Sequence, residues 1–223
     1  MKRTIATILL LSLLLVLFGC GGDTAQPATS EPSDAATATE QAAPPAPSYD
    51  GEILQTVFGV FDEESYTNEY FGVRFLRDGR WSFYSQQELA SLNIGVAETV
   101  LRNRGYAYDM YARSNLETLG FTVAIPAVQY GKEMTEAEYA QATKDASARD
   151  YAGTDYDVVS GELGTVTFGG EEHACFSLTV AANGMMFYTE QIFLQRGDYI
   201  GVVYVSAQSE EGRSSVLSSF SGT

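Results

Sequence analysis

Four segments of alternating apolar and polar residues in the last third of this 223-residue chain constrain its fold more than any other feature. They cover residues 156–168, 172–181, 185–195 and 199–206. Each has the two-residue period of a β-strand that buries one face. Asn183-Gly184 separates the second and third segments, and this dipeptide favours the tight turn of a two-residue hairpin. Since Gly197-Asp198 marks another turn, the sequence predicts an antiparallel meander.

Shorter strands are predicted in the first half of the folded region. They are expected over residues 53–61, 66–68, 71–75, 81–84, 106–112 and 120–125. On this prediction Asn68, Glu69 and Tyr70 form a turn between two strands. Cys175 is the only cysteine besides Cys20, so the hydrophobic core has to stabilise the domain without an internal disulfide.

Helices are predicted where capping signals precede apolar residues at helical spacing. Ser85-Gln86-Gln87-Glu88 and Thr135-Glu136-Ala137-Glu138 both match the capping-box pattern. Further helices are predicted over residues 97–104 and 210–220, and the last is expected to bury Val216, Leu217 and Phe220. Strands with interspersed helices predict an α+β fold, in which an antiparallel β-sheet is flanked by helices.

The first 20 residues carry the pattern of a lipoprotein signal peptide. Lys2 and Arg3 precede an apolar run that is shorter than the roughly 20 residues needed to span a bilayer. Leu17-Phe18-Gly19-Cys20 resembles a bacterial lipobox, so residues 1–19 are predicted to be a signal peptide. Acyl chains such as palmitate on Cys20 would then anchor the protein to the cell membrane on its extracytoplasmic face. The alternative is an uncleaved signal anchor.

Residues 20–49 are predicted to be a disordered tether, and residues 50–223 a single folded domain. The tether consists mainly of Ala, Thr, Pro, Ser, Gln and Glu, which bury too little apolar surface to fold. Removal of Lys2 and Arg3 leaves 11 basic and 29 acidic residues, a formal charge of 11 − 29 = −18. A surplus of this sign disfavours nucleic acid as a partner, because phosphate binding needs lysine and arginine.

Several motifs of the folded region resemble the PsbP-like (MOG/PsbP-type) domain of bacterial lipoproteins. They are Tyr66-Thr67-Asn68, Tyr70-Phe71-Gly72-Val73-Arg74-Phe75, Trp81, Glu88-Leu89, Thr165-Val166-Thr167-Phe168-Gly169-Gly170, Gly197-Asp198-Tyr199-Ile200-Gly201-Val202 and Ser218-Ser219-Phe220. The resemblance implies a sandwich of sheet and helices with Trp81, Phe75 and Phe220 in its core. It also implies a binding or scaffold module, since no common active site defines these domains.

His173 and Cys175 are the strongest candidates for reactive chemistry, because they lie two residues apart on one predicted strand and share a face. A cysteine nucleophile with a histidine base needs such proximity. Neighbours on one strand nevertheless point side by side, and the Asn183-Gly184 turn places Cys175 opposite Ile192 and His173 opposite Leu194. We therefore expect a buried, inert Cys175 and neither a metal nor a cofactor.

Acidic pairs are candidates for general acid–base chemistry. Glu63-Glu64, Glu171-Glu172 and Glu210-Glu211 are adjacent in sequence, which places each strand pair on opposite faces. Arg196-Gly197-Asp198 copies an adhesive tripeptide but also suits a hairpin turn.

The prediction is therefore a non-catalytic, membrane-anchored binding module for a protein or envelope component. One alternative is a carrier that holds a small apolar or cationic ligand in a pocket lined by Tyr106, Tyr108 and Tyr111. A hydrolase that uses the acidic pairs is the other alternative.

Overall fold

The computed structural model describes residues 51–62 and 64–222. In chain order the elements are α1 (Gly51–Thr56), β1 (Val60–Phe61), β2 (Ser65–Asn68), β3 (Val73–Leu76), β4 (Ser82–Phe83), α2 (Gln86–Asn93), α3 (Ala97–Arg104), β5 (Tyr106–Arg113), β6 (Thr118–Ala124), α4 (Pro126–Tyr130), α5 (Glu136–Tyr151), β7 (Asp157–Phe168), β8 (Glu171–Ala182), β9 (Met185–Arg196), β10 (Tyr199–Ala207), α6 (Glu210–Leu217) and β11 (Phe220–Gly222). The predicted α+β class is confirmed.

The large sheet has the strand order β4-β5-β6-β10-β9-β8-β7, and its strands are antiparallel. Three tight hairpins connect β7 to β10, as the alternating segments predict. Asn183 and Gly184 both have positive φ, at 52° and 76°, which is the geometry of a type I′ turn. Since this turn pairs Ala182 with Met185, it sets Cys175 opposite Ile192, and that predicted register is confirmed.

The small sheet has the order β1-β2-β3-β11 and packs on one face of the large sheet. Fully buried side chains from both sheets fill the space between them, among them Tyr66, Phe75, Phe121 and Val203. Phe75 is completely buried, and Trp81 and Phe220 are 3% and 6% exposed. Each of these two rings lies within 6.0 Å of the Phe75 ring, so aromatic packing joins β3 to its neighbours.

Helix α5 covers the opposite face of the large sheet. Its capping box is formed as predicted, because Thr135 Oγ1 accepts from the Glu138 amide and the Glu138 carboxylate accepts from the Thr135 amide. Tyr139 and Tyr151 pack from this helix against Phe176, Phe193 and other residues of the sheet. No helix within residues 51–62 and 64–222 has the length and hydropathy of a membrane span.

Helix α2 closes the β5 side of the large sheet. The Asn93 side chain donates to the Tyr108 carbonyl at 2.9 Å and accepts from the Tyr108 amide at 2.7 Å. This amide therefore reproduces the pair of hydrogen bonds that a neighbouring strand would form. Beyond it, β4 contributes only Ser82 and Phe83 to the sheet.

Three predictions about elements are wrong. Residues 53–56 are helical and not extended, because burial of Leu54 and Val57, three positions apart, favours a helix over a strand. Phe220 lies on β11 and not on the last helix, since α6 ends at Leu217 and Phe220 pairs with Phe75. The strands also form two sheets and not one, because β1, β2 and β3 pair with one another and with β11 but with no strand of the large sheet. Helix α4 was not predicted.

Candidate functional site

Cys175 is buried and lies in a polar cluster beneath α6. The Glu190 carboxylate accepts from Ser177 Oγ at 3.0 Å and forms an ion pair with Arg213 at 3.2 Å. Burial, and then the negative charge of Glu190, raise the pKa of the Cys175 thiol to about 11. Because a thiolate is the nucleophilic form of cysteine, this environment favours an inert side chain.

We expect Cys175 to label more than about 100-fold more slowly in the folded protein than in denaturant, because both burial and the raised pKa suppress the thiolate. The measurement is reaction with a disulfide reagent at pH 7 on the Cys20→Ser variant, in which Cys175 is the only thiol. The denatured sample is the control. Equal rates in the two states would contradict an inert Cys175.

His173 contacts Glu136 and not Cys175. Glu136 Oε1 lies 3.0 Å from His173 Nδ1 and accepts from the Gln195 amide at 2.7 Å, while Oε2 accepts from the Ala174 amide at 3.1 Å. The carboxylate thus enters the sheet where the β8–β9 ladder ends, at Cys175 and Ile192. The predicted pairing of His173 with Leu194 is therefore wrong. Sequence analysis missed the Glu136 contacts because a first-turn glutamate is typical of a capped helix.

The acidic pairs do not converge on a common point. Glu171 and Glu172 are exposed on β8, and Glu210 and Glu211 lie in the first turn of α6, where carboxylates stabilise the helix dipole. Glu63 lies outside the described residues. Across residues 51–62 and 64–222, no cluster of three or more His, Cys, Asp or Glu side chains could hold a metal ion.

Asp109 is a buried carboxyl between the two sheets. Asp109 Oδ2 accepts from the Gly59 amide at 2.7 Å, from Asn68 Nδ2 at 3.0 Å and from the hydroxyl of Tyr66. Burial raises its pKa to about 6, although the three hydrogen bonds act in the opposite direction. The β5–β6 register shifts between Tyr108 and Met110, so Asp109 occupies a β-bulge.

The Asp109 network connects the two sheets to α1. Asn68 Nδ2 also donates to the Val57 carbonyl at 2.9 Å, and its Oδ1 accepts from the Phe71 amide at 3.0 Å. Gly59 has to be glycine, because a Cβ there would lie 2.6 Å from the Tyr66 ring. The sequence signal for this site is a single acidic residue, Asp109, in a predicted strand that otherwise consists of tyrosine, alanine and methionine.

The three tyrosines proposed to line a carrier pocket are packed into the core. Tyr106 belongs to the cluster under α5, and Tyr108 and Tyr111 pack with Leu89 of α2. A groove of about 440 Å³ lies elsewhere, beside the β5–β6 turn, where Arg80, Glu117 and other polar residues line it. Arg80 already pairs with Asp78 at 2.9 Å. This arrangement does not favour an apolar ligand.

The free side of β7 is the largest strand edge of the large sheet. Strand β7 is 12 residues long and pairs only with β8 among the described residues, and we call its other side the open edge. Val158, Val159 and Leu163 expose 47%, 58% and 40% of their surface along this strand. Unpaired backbone groups beside exposed apolar side chains are the features that an added strand recognises.

The predicted signal peptide, the lipobox residues Leu17, Phe18, Gly19 and Cys20, and the predicted tether lie outside the described residues. Lipidation of Cys20 stays a prediction from the sequence.

No protein-family model matches the chain, and no curated protein matches it. Among solved structures, it is similar to the cyanobacterial PsbP of Synechocystis sp. PCC 6803, with a TM-score of 0.44 and 13% identity over 81% of this chain and 100% of that chain. It is also similar to a protein of unknown function from Pseudomonas aeruginosa, with a TM-score of 0.27 and 14% identity over 41% of this chain and 59% of that one. The first of these is a PsbP protein, the family that the motifs around Phe71 and Trp81 resemble. Likenesses of this degree carry no conclusion about activity, ligand or partner.

Proposed function

We propose that this chain is a lipid-anchored extracytoplasmic protein whose folded domain binds a protein or envelope component without catalysis. The observation that carries the binding role is the open edge of β7, which presents a long row of main-chain groups beside exposed Val158, Val159 and Leu163. The anchor rests on the lipobox sequence that ends at Cys20.

The polar side chains support a non-catalytic role. Asp109, Glu136 and Glu190 each accept hydrogen bonds from groups of neighbouring strands or helices, so their carboxylates serve to hold the fold together. Cys175 is buried, and the His173 imidazole contacts the carboxylate of Glu136. Nucleophilic and acid–base catalysis both need reactive groups within hydrogen-bond reach of one another and of a substrate.

Two measurements in cells test this proposal. The wild-type protein should fractionate with membranes and carry acyl groups by mass spectrometry, and Cys20→Ser should abolish both, because two or more acyl chains are needed for stable anchoring. A photocrosslinking amino acid in place of Thr165, which is exposed on β7, should give a discrete adduct with the binding partner. The same residue at Ala148, exposed on α5, is the control and should give none. An unacylated wild-type chain would refute the anchor, and identical crosslinking at the two positions would refute binding through β7.

A further inference from the structure

The open edge of β7 has a defined set of free backbone groups. Phe168 pairs with Glu171 across the two-residue turn Gly169-Gly170, and such a turn closes on a hydrogen-bonded pair. Hydrogen-bonded and non-hydrogen-bonded pairs alternate along an antiparallel ladder. The amides and carbonyls that point away from β8 are therefore those of Gly161, Leu163, Thr165 and Thr167.

A β-bulge limits the usable part of the open edge. The β7–β8 register shifts between Val158 and Ser160, whereas the ladder from Ser160 to Phe168 is continuous. Bulges interrupt pairing with an added strand. The regular stretch of nine residues extends about 30 Å, so it suits an extended segment of about seven to nine residues.

Two glycines on this stretch are not explained by internal packing. A Cβ at Gly161 would lie 3.5 Å from the Phe176 ring, and one at Gly164 would lie 3.5 Å from Cys175 Sγ, which are ordinary contacts. Neither glycine has a positive φ. Glycine weakens a strand and often marks a place where another backbone approaches closely. Glycine at these two positions therefore favours the close approach of another backbone to β7.

Strands β7 and β8, which form this side of the large sheet, carry acidic side chains and no lysine or arginine. Residues 150–195 contain no lysine or arginine and seven acidic residues, which are Asp150, Asp155, Asp157, Glu162, Glu171, Glu172 and Glu190. Glu190 is paired with Arg213 on the face beneath α6. Asp157, Glu162, Glu171 and Glu172 are exposed on β7 and β8. Such a field attracts a cationic partner and repels an anionic one.

The same charges disfavour the occupants that this chain itself could supply. A second copy would bring the same acidic strands against these, and like charges directly opposite one another destabilise a strand pair. The segment 20–49 carries Asp23, Glu31, Asp34 and Glu40 and no basic residue.

We propose that the open edge of β7 binds an extended segment of a partner protein that carries lysine or arginine on alternate positions. This proposal rests on the binding function proposed above and names the chemistry of the partner. The segment pairs antiparallel or parallel with Ser160–Phe168, and its backbone satisfies the outward groups of β7. Its basic side chains lie on the face of the sheet that carries Glu162 and Glu171.

Three eight-residue peptides test the charge preference. They alternate threonine with lysine, with serine or with glutamate, and their binding to the full chain is followed by fluorescence anisotropy at low and high salt. We expect the lysine peptide to bind at least tenfold more tightly than the serine peptide and the glutamate peptide not to bind. The preference should shrink in high salt, because salt screens charges at the surface.

Variants at Leu163 test the main-chain contact. Leu163→Pro removes an outward amide and is tolerated at a strand edge, so it should weaken the lysine peptide at least tenfold. Leu163→Ala removes the apolar side chain but keeps the amide, and we expect binding within about threefold of wild type. If the melting temperature of Leu163→Pro differs from that of wild type, Thr165→Pro takes its place, because it also removes an outward amide of β7. Glu162→Gln with Glu171→Gln removes the two carboxylates that share a face, and it should lower only the preference for lysine.

The outcomes separate the partner chemistry from the proposed function. Two results would refute the proposal of a basic partner segment but would leave binding through β7 intact. One is equal binding of the lysine and serine peptides, and the other is no peptide binding together with a specific Thr165 adduct in cells. A dimer that Leu163→Pro dissociates, or a Thr165 adduct with residues 20–49 of the same chain, would also overturn it. Absence of both peptide binding and a specific Thr165 adduct would refute binding through β7 itself.

Discussion

Replacement of Asp109 by alanine should lower the free energy of unfolding by about 3 kcal/mol or more at pH 5. The variant removes the acceptor for the Gly59 amide, the Tyr66 hydroxyl and Asn68 Nδ2. Each buried donor left without a partner costs about 1–3 kcal/mol. The measurement is urea denaturation followed by circular dichroism, and a loss below about 1 kcal/mol would contradict the role assigned to Asp109.

Asp109→Asn is the matched control, because its amide oxygen keeps an acceptor in nearly the same place. Comparison with this variant also isolates the part that Asp109 contributes to the pH dependence of wild-type stability. The folded-state pKa of about 6 lies above the ordinary value of 3.8, so protonation stabilises the fold. That contribution is fully present below pH 3.8 and is lost as the pH rises through 6. Its full size is on the order of 3 kcal/mol, from about 1.4 kcal/mol per pKa unit.

The comparison is made at pH 5 and pH 8. Wild type should lose more stability than Asp109→Asn between these values, since the other titratable groups are common to both proteins. Identical losses would show that Asp109 does not titrate in this range.

Phe75→Ala should destabilise the protein by about 3–5 kcal/mol, because it opens a cavity at a completely buried position. The Phe75 ring lies 5.2 Å from that of Phe220, 5.7 Å from that of Phe83 and 6.0 Å from that of Trp81, so all three lose contacts. For a domain of this size, such a loss lowers the Tm by about 10 °C. Calorimetry is the measurement.

Phe61→Ala is the control for that substitution. Phe61 is also an aromatic residue of the small sheet and contacts Tyr66 and Phe83, but it is 39% exposed. Its loss should cost about 1 kcal/mol, since less apolar surface returns to water. Similar melting temperatures for the two variants would mean that Phe75 does not anchor the core.

The sequence predicted elements whose signals are local. The capping boxes at Ser85 and Thr135 start helices in the structure, and the Asn183-Gly184 turn sets the β8–β9 register. The strand prediction over residues 53–56 is wrong, because β-branched Ile and Thr in this segment favour a strand locally while burial of Leu54 and Val57 favours a helix.

The long-range polar contacts could not be predicted in this way. Asp109 and Asn68 are 41 positions apart, and Glu136 contacts the Gln195 amide across 59 positions. Each depends on how two distant elements pack, and no pattern within one segment carries that information. The open edge of β7 could be predicted only in part. The alternation predicts the strand, but its place at the end of the sheet follows from the pairing of β10 with β6.

The side-chain amide of Asn93 gives the large sheet two unlike ends. At one end it occupies the backbone groups of Tyr108, and at the other β7 has no neighbouring strand among the described residues. Since β7 is the only long strand with a free side in the described part of the large sheet, the sheet accepts one added strand there. An assembly built by adding strands to this sheet therefore stops after one addition.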